Sequence, residues 1–136
     1  MRHEFFLGGQ RSGKSRCAEA RAAAWLAQPG HSAVLIATAL AGDDEMRARI
    51  SRHQRDRARR VPEMLCVEEP RDLAAALRQH SAPSRLVVVD CLTLWLTNLA
   101  MPVQGDGLDD AGLAAASAAL GEALSRAGGP VLLVSN

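Results

Sequence analysis

The sequence has no tyrosine, two phenylalanines, two tryptophans and one lysine, Lys14, among its sixteen basic residues. With so few aromatics the core must be built from alanine, leucine and valine, and there are no interleaved rings on which single-stranded nucleic acid could stack. The formal net charge is +1, so nothing draws the whole chain toward nucleic acid or an anionic membrane. The three cysteines, Cys17, Cys66 and Cys91, are odd in number and have no Cys-x-x-Cys spacing. That argues against a disulfide frame or a zinc site and suits reduced thiols in a cytoplasmic protein. No apolar run reaches the length of a membrane span. A glycine loop starting at residue 8 leaves no room for a cleavable signal peptide before it. The 136 residues suffice for one domain, 1–136, with a single core.

The lone lysine lies within Gly8-Gly9-Gln10-Arg11-Ser12-Gly13-Lys14-Ser15, a complete G-x-x-x-x-G-K-[ST] phosphate-binding loop. The apolar run Phe5-Phe6-Leu7 precedes it and a helical pattern from Lys14 follows, which is the strand–loop–helix context the motif requires. Backbone N–H groups of such a loop wrap a diphosphate, and the helix N-terminus adds positive potential. Lys14 is expected to reach the β- and γ-phosphates, and the Ser15 hydroxyl to hold Mg²⁺. A chain that otherwise uses arginine has lysine where a compact ammonium is wanted.

Short apolar strands are expected at His3–Leu7, Ala33–Thr38, Leu65–Glu68, Leu86–Asp90 and Val131–Ser135, in the pattern of strands buried on both faces. Between them lie helical patterns at Lys14–Ala27, Asp44–Arg60, Leu73–His80, Leu92–Ala100 and Asp109–Ala127. Pro29-Gly30, Pro70 and Gly128-Gly129-Pro130 punctuate them, and the loop Met101–Gly107 is the Pro/Gly-rich break. The alternation predicts an α/β fold, the three-layer P-loop NTPase (RecA-like) arrangement with a mainly parallel sheet. The sequence stops at the C-terminal edge of a strand, where open α/β sheets bind ligands. It is therefore expected to be a fragment lacking C-terminal elements.

Two further places could carry chemistry. Leu86-Val87-Val88-Val89-Asp90 is an apolar strand ending in a carboxylate, which in phosphate-loop enzymes holds Mg²⁺ or its water. The other reading of Asp90 is a helix cap. Asp43-Asp44-Glu45 puts acids at a helix start, and seven arginines follow between 47 and 60. Met46, Ile50, His53 and Arg57 fall at helical spacing. His53 is then either the end of a buried face, with the arginines a solvated one, or a nucleophile among guanidinium groups. Those groups disfavour a further cation on the ring, a neutral imidazole can attack phosphorus, and arginines neutralise the attacked phosphate.

Several blocks occur in order: Gly8 to Arg16, Ile36-Ala37-Thr38, Asp43 to His53, Val67-Glu68-Glu69-Pro70, Val89-Asp90-Cys91-Leu92-Thr93, Thr97-Asn98-Leu99 and Leu133-Val134-Ser135-Asn136. On these residues the chain resembles the cobinamide kinase/cobinamide-phosphate guanylyltransferase family of cobalamin biosynthesis. The resemblance implies two steps: phosphorylation of adenosylcobinamide with ATP or GTP, then transfer of GMP from GTP to adenosylcobinamide phosphate through a guanylylated histidine that matches His53. It implies nucleotide contacts at Gly8, Gly9, Gln10, Arg11, Ser12, Gly13, Lys14, Ser15, Ala37, Thr38, Ala39, Gln54, Arg55, Asp56, Arg57, Glu68 and Asp90, with Mg²⁺ at Ser15 and Asp90. It also implies a homo-oligomer, a trimer, with no nucleic-acid partner. The stretch from His53 to Glu68 is longer than the family's usual spacing, and the family continues past Asn136 with a further helix and strand. Two alternatives are a single-activity P-loop small-molecule kinase, in which His53 has no role, and a nucleic-acid-binding NTPase whose helix 47–60 tracks phosphates.

Overall fold

A computed structural model describes residues 3–8, 13–40, 43–102 and 105–135. Among these residues five strands and five helices follow one another, alternating except that two helices lie between the last two strands: β1 (Glu4–Leu7), α1 (Lys14–Leu26), β2 (Ser32–Ala37), α2 (Asp44–Arg60), β3 (Leu65–Glu68), α3 (Leu73–His80), β4 (Arg85–Asp90), α4 (Leu92–Ala100), α5 (Asp110–Ser125) and β5 (Val131–Ser135). The strands form one sheet in the order β1-β5-β4-β2-β3, and every pairing between them is parallel. This is the expected three-layer α/β architecture.

Alternation along each strand builds a core on both sides. Ala33, Leu35, Leu86, Val88, Leu132 and Val134 point to one face, where Ala18 and Ala22 of α1 meet them. Two alanines let that helix lie close to the sheet. Val34, Ile36, Val87, Val89 and Val131 point to the other face, against Leu73 and Leu77 of α3, Trp95 and Leu99 of α4, and Leu120 and Ala123 of α5. Close approach also governs the entry to β5: a Cβ on Gly129 would sit 2.0 Å from the Ala82 carbonyl oxygen, so only glycine fits there.

Some boundaries differ from the sequence expectation, for reasons that side chains supply. His3 lies outside β1. Its Nδ1 accepts the Val131 N–H at 3.1 Å, and its Nε2 lies 2.9 Å from the Leu124 carbonyl oxygen, so the ring joins α5 to β5. Thr38 lies outside β2, its hydroxyl turned to Cys91. Asp109 is the N-cap of α5, not its first residue, and accepts the Gly112 N–H at 2.8 Å.

Candidate active site at the C-terminal edge of the sheet

The strand register draws the site into a line. Glu68 pairs with Ala37, Ala37 with Asp90, Asp90 with Val134 and Val134 with Phe6. One row of residues thus crosses the whole sheet just before its C-terminal edge. At its β1 end the phosphate loop begins, with the Gly8 N–H donating to the Ser135 carbonyl at 3.2 Å. Gly13 closes the loop at the N-cap of α1 with φ 81°, a left-handed conformation that disfavours any side chain. Gly9, Gln10, Arg11 and Ser12 lie outside the described residues, as do the side chains of Lys14 and Ser15.

The second component is α2. Asp43 caps it by accepting the Met46 N–H at 2.7 Å, Asp44 and Glu45 occupy its first turn, and Arg57, Arg59 and Arg60 its last. Both ends therefore match the helix dipole. None of its residues is buried. Polar side chains three residues apart hold it instead. Gln54 Nε2 donates to Glu68 Oε1 at 3.2 Å, Arg57 donates to Asp90 Oδ2 at 3.3 Å, and Arg60 donates to both Glu19 oxygens at 2.6 and 3.1 Å. The stretch from His53 to Glu68 runs through the last turns of α2, the 62–64 turn and β3, and it lets Gln54 meet Glu68.

These tethers connect β3, β4 and α1 to one helix, and two of them are partly withdrawn from water. The Arg57 side chain is 13% exposed and Asp90 27%; Glu19 is 10% exposed. The Glu19 hydrogen bond, aided by charge attraction, raises the Arg60 pKa further, so Arg60 is a permanent cation. Cys66 is exposed as a residue, yet burial around its thiol pushes its pKa up, opposed by the Arg57 guanidinium. At neutral pH it is a thiol, a poor nucleophile.

The Glu19–Arg60 pair predicts a modest stability effect. Glu19→Gln keeps the shape and removes the charge, while water reaches Arg60, whose side chain is 41% exposed. The expected loss is about 1 kcal/mol, read as a lower urea midpoint with an unchanged slope. An unaltered midpoint would mean that the pair does not hold α2.

Asp90 is not a helix cap. Cys91 occupies the N-cap of α4, and its side chain makes no cap hydrogen bond. His53 is exposed and is not the end of a buried face. Among the described residues, no side chain hydrogen-bonds its ring. The structure therefore brings Ala37, Glu68, Asp90, Gln54 and Arg57 together with the ends of the phosphate loop, Gly8 and Gly13. Thr38 and Ala39 follow directly after β2. Arg55 is exposed and Asp56 is half-buried beside Arg57, where its charge favours the Arg60 cation.

The model of the family described as cobinamide kinase / cobinamide phosphate guanyltransferase matches residues 4–136. The chain belongs to this family. It is 46% identical over 136 residues to the bifunctional adenosylcobalamin biosynthesis protein CobP of Pseudomonas aeruginosa, covering 98% of this chain and 70% of that protein. It is 38% identical over 100 residues to the bifunctional adenosylcobalamin biosynthesis protein CobU of Escherichia coli, and 35% over 99 residues to that of Salmonella typhimurium. Each of those matches covers 73% of this chain and 50% of the relative. Among the described residues no helix is long and apolar enough to cross a membrane.

Sequence reasoning missed Glu19 and Arg60, whose pairing joins positions 41 residues apart. It also assigned no role to Asn98. One signal was available for Asn98: it is the only carboxamide in the apolar helix LTLWLTNLA.

Proposed function

We propose that this chain phosphorylates adenosylcobinamide, using ATP or GTP, and transfers GMP from GTP to adenosylcobinamide phosphate through His53. The observation that carries this reading is the attachment of α2. Gln54 and Arg57 fasten the histidine-bearing helix to Glu68 and Asp90, in the row that leads into the phosphate loop. One edge then serves both steps.

In the kinase step the substrate hydroxyl oxygen attacks the γ-phosphorus, the bond to the β-phosphate oxygen breaks, and the hydroxyl proton is released. Such transfers depend on positioning and charge stabilisation more than on covalent work by the protein. The loop amides and Lys14 would supply both. In the guanylyl step an imidazole nitrogen attacks the α-phosphorus of GTP and pyrophosphate leaves. A phosphate oxygen of the cobinamide phosphate then attacks the same phosphorus, the P–N bond breaks, and the histidine is regenerated. Splitting the transfer into two displacements at one nucleophile is the usual gain of covalent catalysis. Exposure of His53 on a helix tied to the edge suits a group that must meet two substrates in turn.

Asp90 and Ser15 would hold Mg²⁺. A partly exposed carboxylate at a strand end and a hydroxyl are hard oxygen donors, which suit an ion that keeps several waters and takes few protein ligands. When bound, the ion neutralises charge on the phosphates. Asp90→Asn is expected to keep nucleotide binding and to lower the Mg²⁺-dependent rate by roughly two orders of magnitude, the scale of one such contact. A normal rate with lowered stability would assign Asp90 to the Arg57 ion pair alone. The same reading takes the protein as a cytoplasmic homo-oligomer, the trimer that the resemblance implies, with no nucleic-acid partner. Light scattering of the purified protein tests the assembly.

The overall test is product analysis. With adenosylcobinamide, GTP and Mg²⁺ the protein should give adenosylcobinamide phosphate and then adenosylcobinamide-GDP. Accumulation of the phosphate alone would leave a single-activity kinase.

A further inference from the structure

The α4 helix is apolar apart from two threonines and Asn98. The Asn98 Nδ2 donates to the Thr38 carbonyl at 2.7 Å and to the Pro70 carbonyl at 3.0 Å. Those carbonyls belong to different segments, one following β2 and one following β3. A carboxamide nitrogen has two hydrogens, and here both are used. Because both partners are pure acceptors, the carboxamide oxygen could not take that place.

Two more links reinforce the clamp. The Thr38 hydroxyl donates to the Cys91 carbonyl at 2.7 Å and accepts the Cys91 N–H at 2.9 Å. Trp95, on the same helix as Asn98, donates from Nε1 to the Arg71 carbonyl at 2.7 Å. Side chains of α4 thus fasten the segments after β2 and β3 to each other, and Thr38 fastens them to the end of β4.

These are the strand ends farthest from the phosphate loop. In the order β1-β5-β4-β2-β3, β2 is three strand spacings from β1 and β3 is four, roughly 14 and 19 Å. A nucleotide with its β- and γ-phosphates on the loop after β1 would extend along the row, past Asp90. It would reach Ala37–Ala39 and Glu68 with its nucleoside end.

We infer that Asn98 is a positioning residue for the nucleoside half of the nucleotide site. It sets the spacing between the segment after β2 and the segment after β3, so that Ala37–Ala39 and Glu68 grip base and ribose as one unit. It does not touch the nucleotide itself. The inference rests on the nucleotide-binding reading above and adds to it a division of labour along the edge: the phosphates at the β1 end, the nucleoside at the β2–β3 end.

The test compares two ligands on the same protein by titration calorimetry, GTP and inorganic tripolyphosphate, both with Mg²⁺. Only GTP has a nucleoside. Asn98→Ala should bind tripolyphosphate within about twofold of wild type and GTP about tenfold more weakly, the scale of one or two lost hydrogen bonds. Asn98→Asp should lose as much GTP affinity at neutral pH, where an ionised carboxylate faces two carbonyls and donates to neither. Relative to wild type at each pH, it should recover part of that loss in acid, where the carboxyl donates one hydrogen bond. A merely structural asparagine would give neither the split between ligands nor that pH profile. If Asn98→Ala does not fold, Asn98→Gln provides the same comparison, since it keeps both donors on a longer stem. Folded variants with wild-type GTP affinity overturn the proposal, and so does an equal loss for both ligands. A wild-type protein that binds tripolyphosphate and not GTP overturns the nucleotide reading itself, a separate outcome.

Discussion

Lys14→Ala is expected to leave the domain folded while weakening GTP and ATP binding ten- to a hundredfold and abolishing turnover. The affinity estimate is about 1.5–3 kcal/mol, the worth of one hydrogen bond to a charged group. Lys14 is the first residue of α1. Alanine is the best helix former, so the helix itself loses nothing. The core beneath α1 is made by Ala18 and Ala22, which the substitution does not disturb. Lys14→Arg should not restore activity, although the chain uses arginine at every other basic position. A planar fork does not replace a compact ammonium inside a loop shaped around phosphates. Calorimetry with GTP decides the matter: a folded Lys14→Ala variant with unchanged affinity would remove the loop from the account.

The order and type of the ten described elements were legible in the sequence, because each strand is a short apolar run and most helices are bounded by proline or glycine. Their ends were less so. His3, Thr38 and Asp109 leave their predicted elements because their side chains bond to groups distant in sequence or cap a helix, and an apolar-run pattern does not register such bonds. The strand and helix that flank the phosphate-loop motif were legible because these parts are contiguous in the sequence. The α2 site was half legible. Helical spacing grouped His53 with Ile50 and Arg57, yet three residues advance a helix by 300°, which puts His53 about 60° off the Ile50 direction. In the fold that offset turns His53 to solvent, while Arg57 turns to Asp90. The tethers of α2 and the clamp of Asn98 were not legible, since each partner is set by strand order, and strand order is a property of the whole sheet.

His53→Asn is expected to stop guanylyl transfer and to leave the kinase step largely intact. The two steps need different groups: the kinase step needs the loop, its lysine and a positioned hydroxyl, while GMP transfer through the protein needs a nucleophile at the α-phosphate. His53 is exposed and lies outside the tether network, so its loss should not loosen α2 or disturb Asp90. Asparagine keeps a similar volume and polarity on the helix surface and supplies no nucleophile. The stability change should stay within about 0.5 kcal/mol, as for other surface substitutions.

The most direct measurement is the mass of the protein after incubation with GTP and Mg²⁺. The wild-type protein should gain one GMP, mapped to His53, lost on mild acid treatment and absent from His53→Asn. An adduct of equal amount on the His53→Asn protein would contradict the assignment, and so would a fall of kinase and transferase activity in equal measure.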